Sequence, residues 1–430
     1  MTAPAIGLLG CVVMLVLIAA GGNIGMIMAL VGIVGSLILN GFDTTVFVIG
    51  SQTFEPVFPY SLSVVPLFIL MGSIAFRIGL SRELYDGANA MVGHFRGGLA
   101  MSTIVACAGF GAISGSSLAT AATMGRVALP EMRARGYSDA LAGASVAAGG
   151  TLGVLIPPSV VLVVYGILTE TSIGALFIAA IIPGLLAAVL YVVTIMVYTR
   201  CFPDASQTSQ RLPWRRRVEL ALQMWPVVAL FGFVFGGLYA GWFSPTEAAS
   251  VGVAGALLIG AMRRQLTLRA LIDMATETAW TTGMIFFIVI GTAMFNFFIE
   301  STHIPDLLVG IVNDAGLSTM AILLIIIVFY VVLGCFIPAV SMLFLTLPFV
   351  YPIVAAQGID LIWFGVLIVS VVEIGLITPP VGMNLFVIKG TAPWMTLSSL
   401  YRGIVPFIIA DFTRVALLLM FPGLTLWLVS

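Results

Sequence analysis

Long apolar stretches separated by short polar connectors run the whole length of this chain. Ile6–Leu39, Leu62–Phe76, Gly98–Met124, Ala175–Tyr198, Val218–Trp242 and Ala279–Phe298 are the clearest of them. A helix of about 20 residues crosses a ~30 Å hydrocarbon core, and the stretches recur at about that length. None shows the period-two alternation of a barrel strand. The pattern predicts an all-α polytopic membrane protein with about 10–12 transmembrane helices.

Composition closes off the soluble classes. Apolar residues make up 61% of the chain and charged residues 8%, with a mean hydropathy of +1.19. A soluble domain carries about a quarter charged residues, so this chain cannot cover a water-facing surface. It has no basic or polar domain to hold nucleic acid. Met1–Pro4 lacks a basic leader region, so the first apolar run reads as a permanent span. Cys11, Cys107, Cys201 and Cys335 share no metal or redox spacing, and His94 and His303 stand without ligand company. No cofactor is expected.

Of the 17 Lys and Arg, all but Arg414 fall into five groups that fix a topology. Arg77, Arg82 and Arg96 form one group, and Arg126, Arg133 and Arg135 a second. A third is Arg200, Arg211 and Arg215 to Arg217, a fourth Arg263, Arg264 and Arg269, and a fifth Lys389 with Arg402. Short cytoplasmic loops collect basic residues, which places all five inside. The connectors near Asp43–Glu55, Thr169–Ser172, Ser244–Glu247 and Glu300–Asp314 hold no Lys or Arg and read as external.

Two basic groups flank the single apolar segment Gly98–Met124, so it must enter and return on one side. Its Gly- and Ser-rich middle, Gly109–Ser117, suits a tight turn, which predicts a re-entrant hairpin over 98–125. A second hairpin, over 317–347 around Leu333–Ser341, opens from the other face. Irregular backbone at membrane depth survives only where protein buries it or it lines a polar cavity.

The two halves also match each other. Gly136, Gly143, Gly153, Pro157 and Pro158 find Gly358, Gly365, Gly375, Pro379 and Pro380 at a constant offset of 222 residues. Gly72, Phe76, Leu129 and Pro130 find Gly291, Phe295, Leu347 and Pro348 at offsets of 218 to 219. With the charge pattern, this predicts an inverted structural repeat with two re-entrant hairpins and two Pro-Pro-broken helices, over 138–170 and 360–390. The expected segments are N-terminal scaffold helices over 1–60, a first repeat over 61–200, a cytoplasmic linker over 201–218, scaffold helices over 219–269 and a second, inverted repeat over 270–430.

Inverted repeats with interrupted helices point to a secondary transporter and to its midplane site. Each doubled proline removes backbone donors and breaks a span into half-helices. Freed carbonyls suit Na⁺, and half-helix N-termini suit a carboxylate. The expected sodium ligands are Ser114, Gly115, Ser116, Gly153, Pro157, Gly334, Ile337, Gly375 and Thr378. The expected substrate-binding residues are Ser116, Ser117, Thr120, Ser159, Ser341 and Asn384. Glu373, an ionisable group inside the apolar run Val366–Ile377, is a functional candidate by its cost at membrane depth. Asp411 and Arg414, three apart on one helix face, read as a structural pair.

The same residues carry a family resemblance. Gly111–Gly125, Leu129–Met132, Gly149–Ser159, Ser172–Phe177, Ile182–Gly184 and Ile377–Asn384 resemble the motifs of the large membrane subunit of TRAP (tripartite ATP-independent periplasmic) transporters. The resemblance covers essentially the whole chain. One departure is Thr120, where many members carry an acidic residue shortly after the first hairpin tip. The resemblance implies a sodium-coupled importer in the bacterial inner membrane. A periplasmic binding protein would deliver a small carboxylate (a C4-dicarboxylate, 2-oxoacid or related organic acid). A small four-helix membrane subunit would brace the large one, which moves the substrate by an elevator-like alternating-access mechanism. Two other classes stay open on the residues alone, an autonomous ion-coupled organic-anion permease and a membrane-embedded enzyme. The enzyme would need a nucleophile–base pair or a metal cluster at membrane depth, and the sequence offers neither.

Overall fold

A computed structural model of the chain describes residues 2–208 and 211–429. The first and last residues, and residues 209–210 of the expected linker, lie outside the described residues. The described chain is helical, without a strand among the described residues. Two N-terminal helices, α1 (Ala3–Ala19) and α2 (Ile24–Phe54), come first. Seven helices follow: α3 (Val64–Arg77), α4 (Leu80–Val92), α5 (Gly98–Ser114), α6 (Ser117–Ala134), α7 (Asp139–Leu155), α8 (Val160–Leu168) and α9 (Ile173–Cys201). Then come α10 (Trp214–Leu222), α11 (Trp225–Tyr239) and α12 (Pro245–Met262). The last group is α13 (Leu268–Ser301), α14 (Ile304–Asp314), α15 (Thr319–Gly334), α16 (Ala339–Ala356), α17 (Leu361–Ile377), α18 (Met383–Thr391), α19 (Leu397–Met420) and the short α20 (Gly423–Leu426).

One succession of elements runs twice. A long helix, a short amphipathic helix, a hairpin, a broken helix and another long helix make up α3–α9, and the same order makes up α13–α19. Among the described residues, seven helices are long and apolar enough to cross a bilayer, or nine when each bent pair is one span. That is fewer than the sequence count. The hairpin arms α5 and α15, and α17, are apolar but shorter than a full span. The run Ile6–Leu39 is also two helices, because the chain leaves helical geometry at Ala20–Asn23 and Asn23 caps α2 through the Met26 N–H.

The core sits on the broken helices. Every residue from Leu141 to Leu155 in α7 is buried, and so is every residue from Trp363 to Ile377 in α17. The two stretches begin and end 222 residues apart. Around this core, α5 and α6 pack on α7, and α15 and α16 on α17. Each return arm also meets the other unit: α6 packs on α18 and α16 on α8. On the outside, Phe42, Phe47, Trp242 and Trp280 are mostly exposed, an apolar surface suited to lipid rather than water.

The basic connector has one residue inside. Arg217, the last of the three consecutive arginines, is 6% exposed. It donates from Nε to the Ala90 carbonyl (3.0 Å) and from Nη2 to the Met91 carbonyl (2.7 Å). It thereby closes the C-terminal end of α4, where carbonyls lack helical partners. Arg263 makes a second tie, a bidentate pair with Glu83 (2.6 and 2.9 Å) that joins the end of α12 to the start of α4.

Candidate functional site

The first unit builds its site where the hairpin tip meets the break. Helix α5 ends at Gly115, whose positive φ of 61° turns the chain, and Ser116 caps α6 by accepting from the Ala119 N–H (3.4 Å). The Ser114 hydroxyl lies 2.7 Å from Thr120 Oγ1, which fastens one arm to the other. Just after α7, Pro157 and Pro158 have no N–H, so the carbonyls of Gly153 and Val154 lose their usual donors four residues on. Ser159 then caps α8 through the Leu162 N–H (3.3 Å), and the helix axis bends by 40° across the break.

Tip and break touch through backbone. A methyl group on Gly111 would lie 2.5 Å from the Gly153 Cα, and one on Gly153 would lie 2.5 Å from Thr120 Oγ1 and 2.8 Å from the Ser116 carbonyl oxygen. One on Gly115 would lie 3.0 Å from the Pro158 carbonyl oxygen and 3.5 Å from the Val160 nitrogen. Ser114, Gly115, Ser116, Thr120, Gly153 and the first turn of α8 after Pro157 and Ser159 are therefore one cluster. The N-termini of α6 and α8 lie side by side in it.

The second unit repeats the crossing with different trim. A methyl on Gly375 would lie 2.5 Å from the Gly334 Cα and 3.1 Å from the Cys335 nitrogen. Gly334 and Gly375 thus mirror Gly111 and Gly153. The tip is closed by the Phe336 and Ile337 N–H groups, both donating to the Leu333 carbonyl (2.9 and 3.0 Å). Ser341 is buried in the first turn of α16. At the break, the Thr378 hydroxyl donates to the Ile374 carbonyl (2.6 Å) and its N–H to the Gly375 carbonyl (3.1 Å). The Tyr401 hydroxyl reaches the Pro380 and Val381 carbonyls (2.6 and 3.2 Å), a partner that no motif around the prolines announced. Both Pro-Pro bonds, Pro157–Pro158 and Pro379–Pro380, are cis.

Asn384 joins the units. It is fully buried in the first turn of α18, and its amide donates to the Ala147 carbonyl of α7 (3.0 Å), while its Oδ1 has no protein partner. A methyl on Gly150 would sit 3.2 Å from Asn384 Nδ2 and 3.1 Å from the Ser117 carbonyl oxygen. The start of α6 and the start of α18 are thus neighbours across Gly150. An unpartnered buried acceptor costs ~1–3 kcal/mol, so Oδ1 is a ready contact for a ligand donor or cation.

Behind the breaks lies a polar chain that sequence reasoning saw only in parts. Asp411 and Arg414 are a contact pair as expected (3.1 Å), yet the same guanidinium also lies 3.6 Å from Glu373. Tyr191 donates to both Asp411 oxygens (2.8 and 2.7 Å) and lies 3.0 Å from Thr151 Oγ1. Glu373 is thus set among these groups, its carboxylate fully buried and facing the Leu155 backbone at the end of α7. The signal that could have joined them is the spacing: Thr151 and Glu373 stand 222 residues apart, the offset of the repeat. Among the described residues there is no cluster of His, Cys, Asp and Glu that could hold a transition metal.

Residues 11–424 match the model of the family described as the tripartite ATP-independent periplasmic transporter, DctM component. A C4-dicarboxylate TRAP transporter large permease protein from Pseudomonas aeruginosa is 37% identical over 372 residues, covering 83% of this chain and 86% of that one. A sialic acid TRAP transporter large permease protein from Vibrio cholerae is 35% identical, covering 86% of each. An ectoine/5-hydroxyectoine TRAP transporter large permease protein from Ruegeria pomeroyi is 33% identical, covering 92% of each. In fold the chain is similar to the YdaH transporter of Alcanivorax borkumensis, with a TM-score of 0.64 at 14% identity over 90% of this chain and 89% of that one. It is also similar to MtrF of Neisseria gonorrhoeae, with a TM-score of 0.55 at 14% identity over 89% and 85%. The chain belongs to the DctM family: it is the large permease subunit of a TRAP transporter, a multi-pass membrane protein and not an enzyme.

Proposed function

We propose that this subunit imports a small carboxylate, of the C4-dicarboxylate, 2-oxoacid or related organic-acid class, across the bacterial inner membrane in symport with Na⁺. The observation that carries the reading is the convergence at α7. A hairpin tip, a helix break and the buried Asn384 meet there, and a second glycine-on-glycine crossing repeats tip and break in the other unit. Carbonyls without helical donors offer hard oxygen ligands to Na⁺, assisted by Ser114, Ser116 and Thr378. The adjoining N-termini of α6 and α8, with Ser117, Ser159 and Asn384, offer positive dipole and donors to a carboxylate. Thr120 lends a hydroxyl at the first tip, and Ser341 does the same at the second.

The substrate arrives on a periplasmic binding protein, and a small four-helix subunit covers part of the exposed apolar flank that includes α11. The two units lie inverted in the membrane, and the hairpins move with their broken helices as one elevator-like body. Uptake into liposomes holding both membrane subunits, with the binding protein outside, tests this. Saturable uptake of a C4-dicarboxylate or 2-oxoacid that requires a sodium gradient is expected. Uptake that follows protons with sodium absent would sink the coupling. Robust uptake by this subunit alone would make it an autonomous permease.

A further inference from the structure

The buried polar chain behind the breaks has no place in the transport reading so far. It runs from Thr151 on α7 through Tyr191 on α9 to Asp411 and Arg414 on α19, and ends at Glu373 on α17. Arg414 Nη2 also donates to the Ser370 carbonyl (3.2 Å). All the side chains that form it are buried: Thr151, Tyr191, Glu373 and Arg414 are 0% exposed and Asp411 is 1%. Two acids and one base leave the cluster formally one charge short of neutral. Apolar side chains would fill such a core at least as stably, and ionisable groups at membrane depth are costly. Packing alone does not account for them.

Their placement does. The two ends, Thr151 and Glu373, are repeat-equivalent, and each stands two residues before the glycine, Gly153 or Gly375, on which a hairpin crosses. The strut therefore holds the two broken helices at matching points next to their breaks. One end is the tighter: the Tyr191 hydroxyl donates to Asp411 (2.7 Å) and lies 3.0 Å from Thr151 Oγ1, which itself donates to the Ala148 carbonyl (2.6 Å). The other is looser: Glu373 and Arg414 meet at 3.6 Å, and Arg414 Nε and Nη1 have no hydrogen-bond partner. A link with one tighter and one looser joint can pass a shift of one helix to the other.

We infer that the Thr151–Tyr191–Asp411–Arg414–Glu373 strut couples the two breaks, so that sodium bound at one favours sodium at the other. Tyr191, Asp411 and Arg414 are positioning residues in this scheme, since they act through α7 and α17. The inference rests on the sodium reading above. Coupling between sites is a free energy that appears as sigmoidal dependence on the ligand.

The test is uptake against sodium concentration by the complete transporter in liposomes, with Tyr191→Phe, which removes the hydroxyl at nearly constant shape. Wild type should be sigmoidal in sodium. The variant should approach a hyperbolic curve, with half-maximal sodium raised about 5-fold or more, the low end of usual coupling, and a near-normal maximal rate. A merely structural role would lower the maximal rate and leave the curve's shape alone; that result overturns the inference. Should Tyr191→Phe fail to fold, Thr151→Val cuts the same link at its α7 end and carries the same expectation. A wild type that ignores sodium would sink the sodium reading and this inference together. A sodium-dependent wild type with a hyperbolic curve, or a variant that stays sigmoidal, sinks the inference alone.

Discussion

At Gly153 the smallest side chain is demanded from two directions, by Thr120 Oγ1 and by the Ser116 carbonyl. Gly153→Ala should overpack the crossing, at a cost of about 1–3 kcal/mol, and cut uptake at least tenfold, since it pushes tip and break apart. Gly236 in α11 has open space around it, so Gly236→Ala should unfold within a few degrees of wild type. Thermal unfolding in detergent, paired with uptake, separates the two; equal behaviour of both variants would refute the crossing. At the second break the Thr378 hydroxyl spends its proton on its own helix at 2.6 Å, but its oxygen lone pairs stay open. Thr378→Val should therefore raise half-maximal sodium about two- to tenfold, with binding-protein affinity for substrate unchanged. Unaltered sodium dependence in Thr378→Val, Ser114→Ala and Ser116→Ala alike would remove these groups from the ion site. Much of this was legible in sequence, because proline and glycine act on their own backbone wherever they stand. Tyr401 and Tyr191 were not. Their partners lie 20 and 220 residues away, and a tyrosine in an apolar helix carries no local mark of what it will meet.

Among the elements, the hairpins and broken helices could be read because turn residues and doubled prolines interrupt an otherwise uniform hydrophobic pattern. Element boundaries were harder. The hairpin arms extend past the expected 98–125 to Ala134 and past 317–347 to Ala356, since charged and proline-bearing turns continue the helices beyond the apolar runs. The short amphipathic pair α4 and α14 was hidden altogether, as each looks like a polar connector until it is folded. Orientation is the property of these elements most open to test. Cysteines introduced at Arg133, in the last turn of α6, and at Asp306, in the first turn of α14, should react with an impermeant maleimide from opposite faces. The background would lack the four native cysteines. Rapid labelling of both from one face would end the inverted arrangement.

The whole molecule presents apolar surface on many sides, with Trp280 78% exposed and Phe47 74%. Lipid can cover such a surface, and so can a partner helix. Reconstituted alone, the subunit should bind to bilayers yet show no saturable carboxylate uptake. Adding the small subunit and the loaded binding protein should restore it.

The two helices that carry the breaks are buried over the fifteen-residue stretches Leu141–Leu155 and Trp363–Ile377, and what surrounds them is other protein. At the first break Pro157, Pro158 and Ser159 are buried as well, so the dielectric and shape there are set by the chain and not by the fatty acids outside. Acyl-chain length acts on the outer helices, whose apolar height must match the bilayer. Liposomes of thinner or thicker lipid should accordingly change the maximal rate of uptake, while half-maximal sodium and substrate stay within about twofold. A half-maximal concentration that tracked bilayer thickness would mean that lipid reaches the breaks after all.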